Sequence, residues 1–355
     1  MKSFSKILLE WHNPSARNLP WKNTNDAYKI WLSEIILQQT RVEQGTPYYL
    51  AFIKKYPTVK KLAAAPLDDV LKLWEGLGYY SRARNLHSAA KQIVELHNGK
   101  FPATYTEIIE LKGIGNYTAA AIASFAYDLP YAVVDGNVFR VLSRVFGIET
   151  PIDTTQGKKQ FEELANKLLD KKNAAIYNQA IMDFGALVCK PQQPLCSQCP
   201  YSSVCKALTN NIIDKLPVKS KKIIKTTRHF HFFVLIGSDE ILLQQRTAQD
   251  IWKGLFSFPF IETNFLNKKN RNLFFDEHFS FLNKYWKDKI TPYHYRQSLS
   301  HQNIQGNFYE IRIKDIEWRK IKSESYKIIR KNDIKNYAFP KLIRDYLKDR
   351  FNYLS

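Results

Sequence analysis

All the cysteines of this 355-residue chain, Cys189, Cys196, Cys199 and Cys205, fall in one short stretch with the spacing C-x6-C-x2-C-x5-C. Thiols used nowhere else and gathered in one segment point to a single centre. Such a centre closes the segment into a loop and fixes where the elements before and after it meet. Disulfides are the first alternative, and they require an oxidising compartment. Nothing near the amino terminus supports export, because the apolar run Ile7-Leu8-Leu9 is stopped by Glu10 and His12, too short for a signal-peptide core. A four-thiolate structural zinc site is the second alternative, which the C-x2-C pair alone favours. The longer arms on either side favour a larger object, a [4Fe–4S] cluster on four thiolates. Spacing by itself leaves zinc and iron–sulfur both open.

A chain of this length is expected to form two domains. No apolar run is long enough to span a bilayer, so no membrane partner is expected and the protein is read as cytoplasmic. There are 53 Lys and Arg residues against 33 Asp and Glu, a formal charge of +20. An excess of that size favours a polyanionic partner through counterion release and steering. A lysine-rich proteome would give a similar excess without any such partner. Charge therefore suggests nucleic acid and does not establish it.

Periodicity divides the chain. Segments 27–40, 66–76, 82–97, 116–126, 137–146 and 157–170 carry apolar residues at three- and four-residue spacings and read as helices. Pro47, Pro57, Pro66, Gly99, Pro102 and Gly113 punctuate them. A basic connector follows, with seven Lys or Arg residues from Lys206 to Arg228 against the single acid Asp214. From there the pattern turns β-rich, in 229–236, 241–243 and 307–313, and a helical tail closes the chain at about 340–352. The expected organisation is a helical domain over 1–208 ending in the cysteine loop (189–205), a basic linker over 209–228, and an α+β domain over 229–355.

Three constellations carry chemistry. The first, Leu111-Lys112-Gly113-Ile114-Gly115-Asn116-Tyr117, is a G-x-G turn opening an alanine-rich helix. Its glycines allow a tight turn, and the free N–H groups of the helix start suit a phosphate. A plain helix-to-helix turn would look the same, but the flanking residues fit a helix-hairpin-helix grip on a DNA backbone, which positions without specifying sequence. The second is Val134-Asp135-Gly136-Asn137-Val138. An Asp before a helix is first of all an N-cap, and the same position suits a catalytic carboxylate held ionised by the helix end. The third is Glu34 within Trp31-Leu32-Ser33-Glu34-Ile35-Ile36-Leu37. On a solvated face it would be an ordinary acid; facing a pocket, desolvation would raise its pKa and make it a proton donor. Two carboxylates in opposed environments are the division of labour needed to cleave a glycosidic bond.

In this order, hairpin, Asp and four-cysteine loop resemble the endonuclease III superfamily of helix-hairpin-helix base-excision DNA glycosylases. Further motifs place the resemblance in its adenine-specific branch: Leu19-Pro20-Trp21, Leu37-Gln38-Gln39-Thr40-Arg41-Val42, Glu75-Gly76-Leu77-Gly78-Tyr79-Tyr80, Gly185-Ala186-Leu187-Val188-Cys189 and Tyr337-Ala338-Phe339-Pro340. The resemblance implies an all-α glycosylase domain with a [4Fe–4S] loop and a C-terminal Nudix-like α+β domain. It implies a monomer acting on double-stranded DNA that carries 8-oxoguanine·A or G·A mispairs. Carried over by motif, Glu34 protonates the leaving adenine and Asp135 stabilises the oxocarbenium-like sugar as stabiliser or nucleophile, in a retaining-type mechanism. Tyr117 and Asn137 support them, and Arg17, Trp21, Lys22 and Gln179 line the base pocket. Gln38 and Thr40 bind DNA, and Gln39, Leu77 and Tyr79 wedge into the duplex near the oxidised base, although Tyr79 on its own reads better as a core residue. Gly113 and Gly115 grip the backbone. Cys189, Cys196, Cys199 and Cys205 hold the cluster.

Two features discriminate among relatives, and two residues depart from the branch. Bifunctional relatives carry a nucleophilic Lys two residues beyond the second hairpin glycine, where this chain has Tyr117, so the chemistry is expected to stop at an abasic site. No metal-binding Nudix box is present, so phosphohydrolase activity is not expected. Instead, Ser298-Leu299-Ser300-His301-Gln302 matches a loop that reads 8-oxoguanine through Ser300 and His301, with Leu299 where the branch has Phe. Lys22 stands where Arg or Gln is common. Sliding-clamp or other repair partners leave no signature. The rival readings are an endonuclease III-like glycosylase/AP lyase on oxidised pyrimidines and a non-catalytic DNA-binding iron–sulfur protein.

Overall fold

Helices fill the first part of the chain and strands the remainder, but Ala65–Arg84 groups with the strand-bearing unit and not with the rest of the expected 1–208 domain. The computed structural model describes residues 3–13, 17–220, 224–286, 290–321 and 325–351. Lys221 and Lys222 of the basic connector and residue 352 of the expected tail lie outside the described residues. Contacts divide the chain into two compact units, Met1–Ala64 with Asn85–Lys222, and Ala65–Arg84 with Ile223–Ser355.

The first unit is helical. It begins with α1 (Phe4–Trp11), α2 (Ala27–Leu37), α3 (Val42–Lys55) and α4 (Val59–Ala64). After α5 (Leu67–Leu73), which belongs to the second unit, and α6 (Ser81–Leu96), it continues through α7 (Tyr105–Ile109), α8 (Asn116–Tyr127), α9 (Gly136–Phe146), α10 (Thr155–Leu168), α11 (Ala174–Leu187) and α12 (Lys206–Thr209). Helix α2 is started by Asp26, whose side chain accepts from the N–H groups of Tyr28 and Lys29. Ile30, Trp31, Leu32, Ile35 and Ile36 are all buried. Apart from Lys29, which is partly exposed, the helix is buried from Ala27 to Ile36 and so lies in the centre of the unit, and Glu34 falls on a buried face. Helix α8 lies against α2, its buried alanines Ala119, Ala120, Ala121 and Ala123 letting the backbones approach. Helix α9 is capped by Asp135 and stops at Gly147, which takes the left-handed conformation (φ +64°) that glycine adopts without strain. Pro47 does not interrupt a helix as its spacing suggests. It sits inside α3, near the amino-terminal end, where it removes one backbone hydrogen bond without ending the helix.

The second unit is built on a seven-stranded mixed sheet: β1 (Thr226–Ile236), β2 (Glu240–Gln245), β3 (Phe256–Ser257), β4 (Phe260–Glu262), β5 (Tyr293–Ser298), β6 (Gln302–Arg312) and β7 (Tyr326–Arg330). The path runs β3-β2-β1-β6-β5, with β4 on β1 and β7 on β2. Strands β1 and β6 pair in parallel with Phe232 opposite Phe308, and the other pairs are antiparallel. Helix α13 (Lys268–His278) covers one face through Phe275, against Phe233 and Leu235. Helix α14 (Lys341–Phe351) brings Tyr346 into a stack on Phe308, with ring centroids 4.2 Å apart. Both inner faces are therefore apolar, which accounts for the near-continuous burial of β1.

Candidate active site

Central burial of α2 decides the fate of Glu34. The residue is 8% exposed and lines a cavity of about 420 Å³ together with Tyr117, Asp135, Asn137, Arg17, Trp21, Lys22 and Gln179. Seven residues drawn from distant parts of the sequence and expected to serve base excision thus meet Glu34 in one place. The Tyr117 hydroxyl donates to Glu34 Oε2 at 2.9 Å. Burial pushes the Glu34 carboxyl up from its ordinary value to about 7, opposed by the Tyr117 bond and reinforced by the charge of Asp135. Tyr117 itself is pushed well up by the same burial and the neighbouring carboxylates, so it stays a neutral donor.

Asp135 lives in a different environment although it shares the cavity. Its Oδ1 accepts from the backbone N–H groups of Asn137 (2.9 Å) and Val138 (2.8 Å), and its Oδ2 from Asn137 Nδ2 (2.7 Å). The N-cap and the pocket-lining roles are therefore filled by one side chain at once. Burial raises its pKa, while the three hydrogen bonds and Arg140 pull the other way. With three donors and a helix amino terminus on Asp135 against a single hydroxyl on Glu34, Asp135 is the first of the coupled pair to ionise. Gly185 on α11 makes this geometry possible, since a Cβ there would lie 2.6 Å from the Cβ of Asn137. Arg140 fixes Asn137 in turn, donating to its Oδ1 (2.9 Å) and to the carbonyls of Gly185 and Cys189 (both 2.7 Å).

The sequence gives no hint of the residue that organises the far wall. Asp183 is 1% exposed and is met by Lys22 Nζ (2.5 Å), Arg17 Nη1 (3.1 Å), His12 Nε2 (3.4 Å) and Gln179 Nε2 (3.4 Å). Three of the expected base-pocket residues are thus aimed by one carboxylate. Asp183 falls four residues after Gln179 on the same face of α11, a spacing that does not by itself mark it out. Trp21 packs edge-on against Tyr49, with ring centroids 5.3 Å apart.

A second opening onto Glu34 and Asp135 is lined by Gln38, Gln39, Gly115, Asn116 and Thr118. Gln38 Nε2 donates to Thr118 Oγ1 (3.3 Å), and Thr40 donates to the Gln38 carbonyl. Gln39 takes a left-handed conformation (φ +54°), as does Gly113 (φ +80°) in the hairpin. Gly115 caps α8 with no side-chain hydrogen bond to its first turn.

In the second unit, Leu77, Tyr79, Leu299, Ser300 and His301 line a cavity of about 530 Å³ with Trp252, Asp250 and Arg84. Tyr79 is not a core residue: it is 39% exposed, held at φ +47° after Gly78, and its hydroxyl is hydrogen-bonded to Ser300 Oγ. Leu77 is 7% exposed and forms part of the wall. The loop Leu299–His301 is the tip of the β5–β6 hairpin, closed by Leu299 N–H on the Gln302 carbonyl at 2.7 Å.

The four cysteines, all half-buried, converge on one small cavity with Arg144, Phe184, Val188, Leu195 and Ile213. Among the described residues no group of three or more His, Cys, Asp or Glu side chains is set for a single ion. Burial pushes the Cys189, Cys196 and Cys199 thiols up, with neighbouring cysteines adding to it, while Arg144 pulls Cys189 and Cys196 down. Four thiols crowding one another in this way, with a guanidinium beside them, fit the thiolate shell of a metal centre whose net charge is negative.

Comparison with known proteins gives these sites a context. Residues 32–171 match the family described as "HhH-GPD superfamily base excision DNA repair protein", and residues 231–349 match the NUDIX domain. An adenine DNA glycosylase of Buchnera aphidicola subsp. Schizaphis graminum is 39% identical over 261 residues, covering 73% of this chain and 75% of the relative. The Homo sapiens adenine DNA glycosylase is 44% identical over 214 residues, covering 58% of this chain and 39% of the relative. Among solved structures, a thermostable thymine-DNA glycosylase matches with a TM-score of 0.54 at 30% identity, covering 58% of this chain and 95% of that one. With helical and Nudix-like parts both matched, and a relative of that name aligned over three-quarters of its length, the chain belongs to the adenine DNA glycosylase family of base-excision DNA repair enzymes.

Proposed function

We propose that this enzyme removes adenine mispaired with 8-oxoguanine, and with G, hydrolysing the N-glycosidic bond and stopping at an abasic site. The observation that carries the reading is Glu34, a carboxyl that keeps its proton to about pH 7 on the wall of a cavity. A base in the helical stack is out of reach of any side chain, so the adenine is flipped into that cavity. Trp21 packs along the base, while Arg17, Lys22 and Gln179, aimed by Asp183, set its hydrogen-bonding edge. Glu34 gives its proton to N7, and adenine departs as a neutral leaving group. Positive charge then develops on the sugar beside Asp135, whose carboxylate stabilises it and can bond to the anomeric carbon until water replaces it. Asn137 holds that carboxylate in place, and Tyr117 holds Glu34.

The hairpin at Gly113 and Gly115 offers unpaired N–H groups of α8 to a phosphate. Gln38, Gln39 and Thr40 are assigned to the duplex at the second opening, and Leu77, Tyr79, Ser300 and His301 to the oxidised base. Cys189, Cys196, Cys199 and Cys205 would hold a [4Fe–4S] cluster, which when bound supplies a rigid charged core for the 189–205 loop. Hydrolysis of the glycosidic bond draws no electrons from it.

Monofunctional chemistry rests on the amines. Tyr117 replaces the lyase lysine, and Lys22, which lines the cavity, is committed to Asp183 as an ion pair. The test is incubation with an 8-oxoguanine·A duplex, with and without alkali. The expected result is a break at the adenine position after alkali only, with no borohydride-trapped adduct. Strand scission without alkali, together with efficient trapping, would overturn the monofunctional reading. Intact DNA after alkali would overturn the substrate.

A further inference from the structure

Arg144 on α9 plays no part in the chemistry above, yet it is among the most deeply buried cations of the chain, at 3% exposure. Its Nη1 donates to the Lys190 carbonyl (2.7 Å) and points at Cys189 Sγ (3.6 Å). Its Nη2 reaches the Pro191 carbonyl (3.2 Å), and its Nε is shared by the carbonyls of Ile213 (3.1 Å) and Leu216 (3.2 Å). Its own carbonyl accepts from the Cys205 thiol at 3.4 Å. One side chain therefore ties the residues that follow the first cysteine to the segment beyond the last. None of these five acceptors is a carboxylate. A guanidinium taken out of water and surrounded by neutral carbonyls is strongly disfavoured unless an anion compensates it. The sulfur of Cys189 is the one acceptor of the five that can become an anion.

We infer that Arg144 is the built-in counter-ion of the metal centre, supplying the positive charge and the sulfur hydrogen bond that retain it and set its redox poise. The inference rests on the reading of the four thiols as a [4Fe–4S] site. Four thiolates around a dicationic core make a dianionic centre, and loss of one electron leaves it less negative. A fixed cation beside it therefore favours the reduced form. Replacing Arg144 with a neutral residue makes oxidation easier and lowers the potential of that couple. It also removes the brace between the two ends of the loop, so metal is released faster.

The experiment uses the full-length holoprotein purified from iron-replete cells, as wild type, Arg144→Gln and Arg144→Lys. It measures iron and sulfide per chain, the decay in air of the visible charge-transfer band, and the reduction potential by voltammetry. Arg144→Gln is expected to lose iron at least ~10-fold faster, the scale of removing a partner in the outer shell of a metal site, and to show a lower potential. Arg144→Lys keeps the charge but not the fork, so its potential stays near that of wild type while iron loss quickens. A purely structural brace would leave the potential of both variants unchanged. An unchanged potential in Arg144→Gln overturns the proposal. If Arg144→Gln does not yield folded protein, Arg144→Lys decides: iron retention equal to wild type overturns it. If wild type carries zinc and no iron, the cluster reading has failed, and the counter-ion is then tested by zinc loss to a chelator. Equal zinc retention in wild type and variant would overturn it on that metal too.

Discussion

Two cavities, one in each unit, the first holding Glu34 and the second holding Ser300, are built from different materials. The cavity of the helical unit is lined by Glu34, Asp135, Arg17 and Lys22, with the buried Asp183 behind the two cations, and one of its carboxyls is pushed to about 7. The cavity of the sheet unit is faced by hydroxyls, an imidazole, amides and aromatic rings on a hairpin tip and a left-handed turn. Its charges are committed elsewhere: Asp250 to Arg228 and Arg246, Lys341 to Asp345, and Arg84 to the Lys253 carbonyl. Making and breaking bonds needs ionisable groups held where water cannot level them. Reading a base needs neutral donors and acceptors whose cost, when mismatched, is an unpaired polar group. On the proposed function, the contrast separates a place for chemistry from a place for recognition, and it can be attacked from either side.

The largest effect is expected at Glu34. Glu34→Gln should bind mispaired duplex normally and lose on the order of 10²–10⁴ in single-turnover excision, the usual scale of general acid catalysis. In the unaltered enzyme, excision should fall as pH rises through about 7, where the acid loses its proton. Stability carries the same signature. Because burial lifts the carboxyl from 4.5 to about 7, the folded state keeps a proton that the unfolded chain has released across that window, and stability declines as pH rises through it. Glu34→Gln should therefore be more stable than the parent at pH 8, by up to roughly 3 kcal/mol. The two should converge below the ordinary glutamate range. Equal denaturation midpoints across this window would show that Glu34 is not desolvated, and near-normal turnover by Glu34→Gln would remove it from the mechanism.

A smaller effect sharpens the same point. The Tyr117 hydroxyl is the group that holds Glu34 down against burial. Tyr117→Phe should lower the plateau rate, because the acid is less well placed. It should also move the alkaline limb of the pH profile upward, because the proton is held more tightly. The ratio of variant to parent therefore rises with pH. A limb that stays in place or moves down would mean that Tyr117 does not touch the acid during turnover.

How much of this was legible in the sequence depended on whether the cause was local. The apolar surroundings of Glu34 reveal a central helix, and the Asp135-Gly136-Asn137 turn reveals a cap, because each reports on its own few residues. Asp183 is silent, since its importance arises only when residues 12, 17 and 22 are folded onto α11. Arg140 and Arg144 look like ordinary basic residues of an amphipathic helix. They become buried because the cysteine loop and the residues after it close over them. The segment 66–76 reads as one more helix of the helical domain, yet Lys72 and Glu75 bond to the backbone of Tyr337 and Phe339. Helical periodicity has no means of announcing partners more than 260 residues away. Strands β5 and β7 were missed for a related reason: their exposed, polar faces blur the alternation that made β1 evident.

The smallest expected effect falls on the recognition side and is the sharpest test of the contrast. Ser300 and His301 sit at a three-residue hairpin tip, and the Ser300 hydroxyl meets that of Tyr79 across the cavity. Neither residue lines the cavity that holds Glu34. Replacing both with alanine should therefore leave the pH profile of excision and its rate on G·A unchanged. What should shrink is the preference for 8-oxoguanine·A over G·A, by roughly 10-fold for about 1.4 kcal/mol of lost discrimination, on the scale of one or two neutral hydrogen bonds. Restoring Ser300 alone should recover part of that ratio. If the double variant instead loses activity equally on both mispairs, the hairpin supports the fold or general duplex binding. If the ratio is untouched, the reading of the oxidised base belongs to Gln39, Thr40 and the other residues of the helical unit, and the division of labour between the two cavities fails.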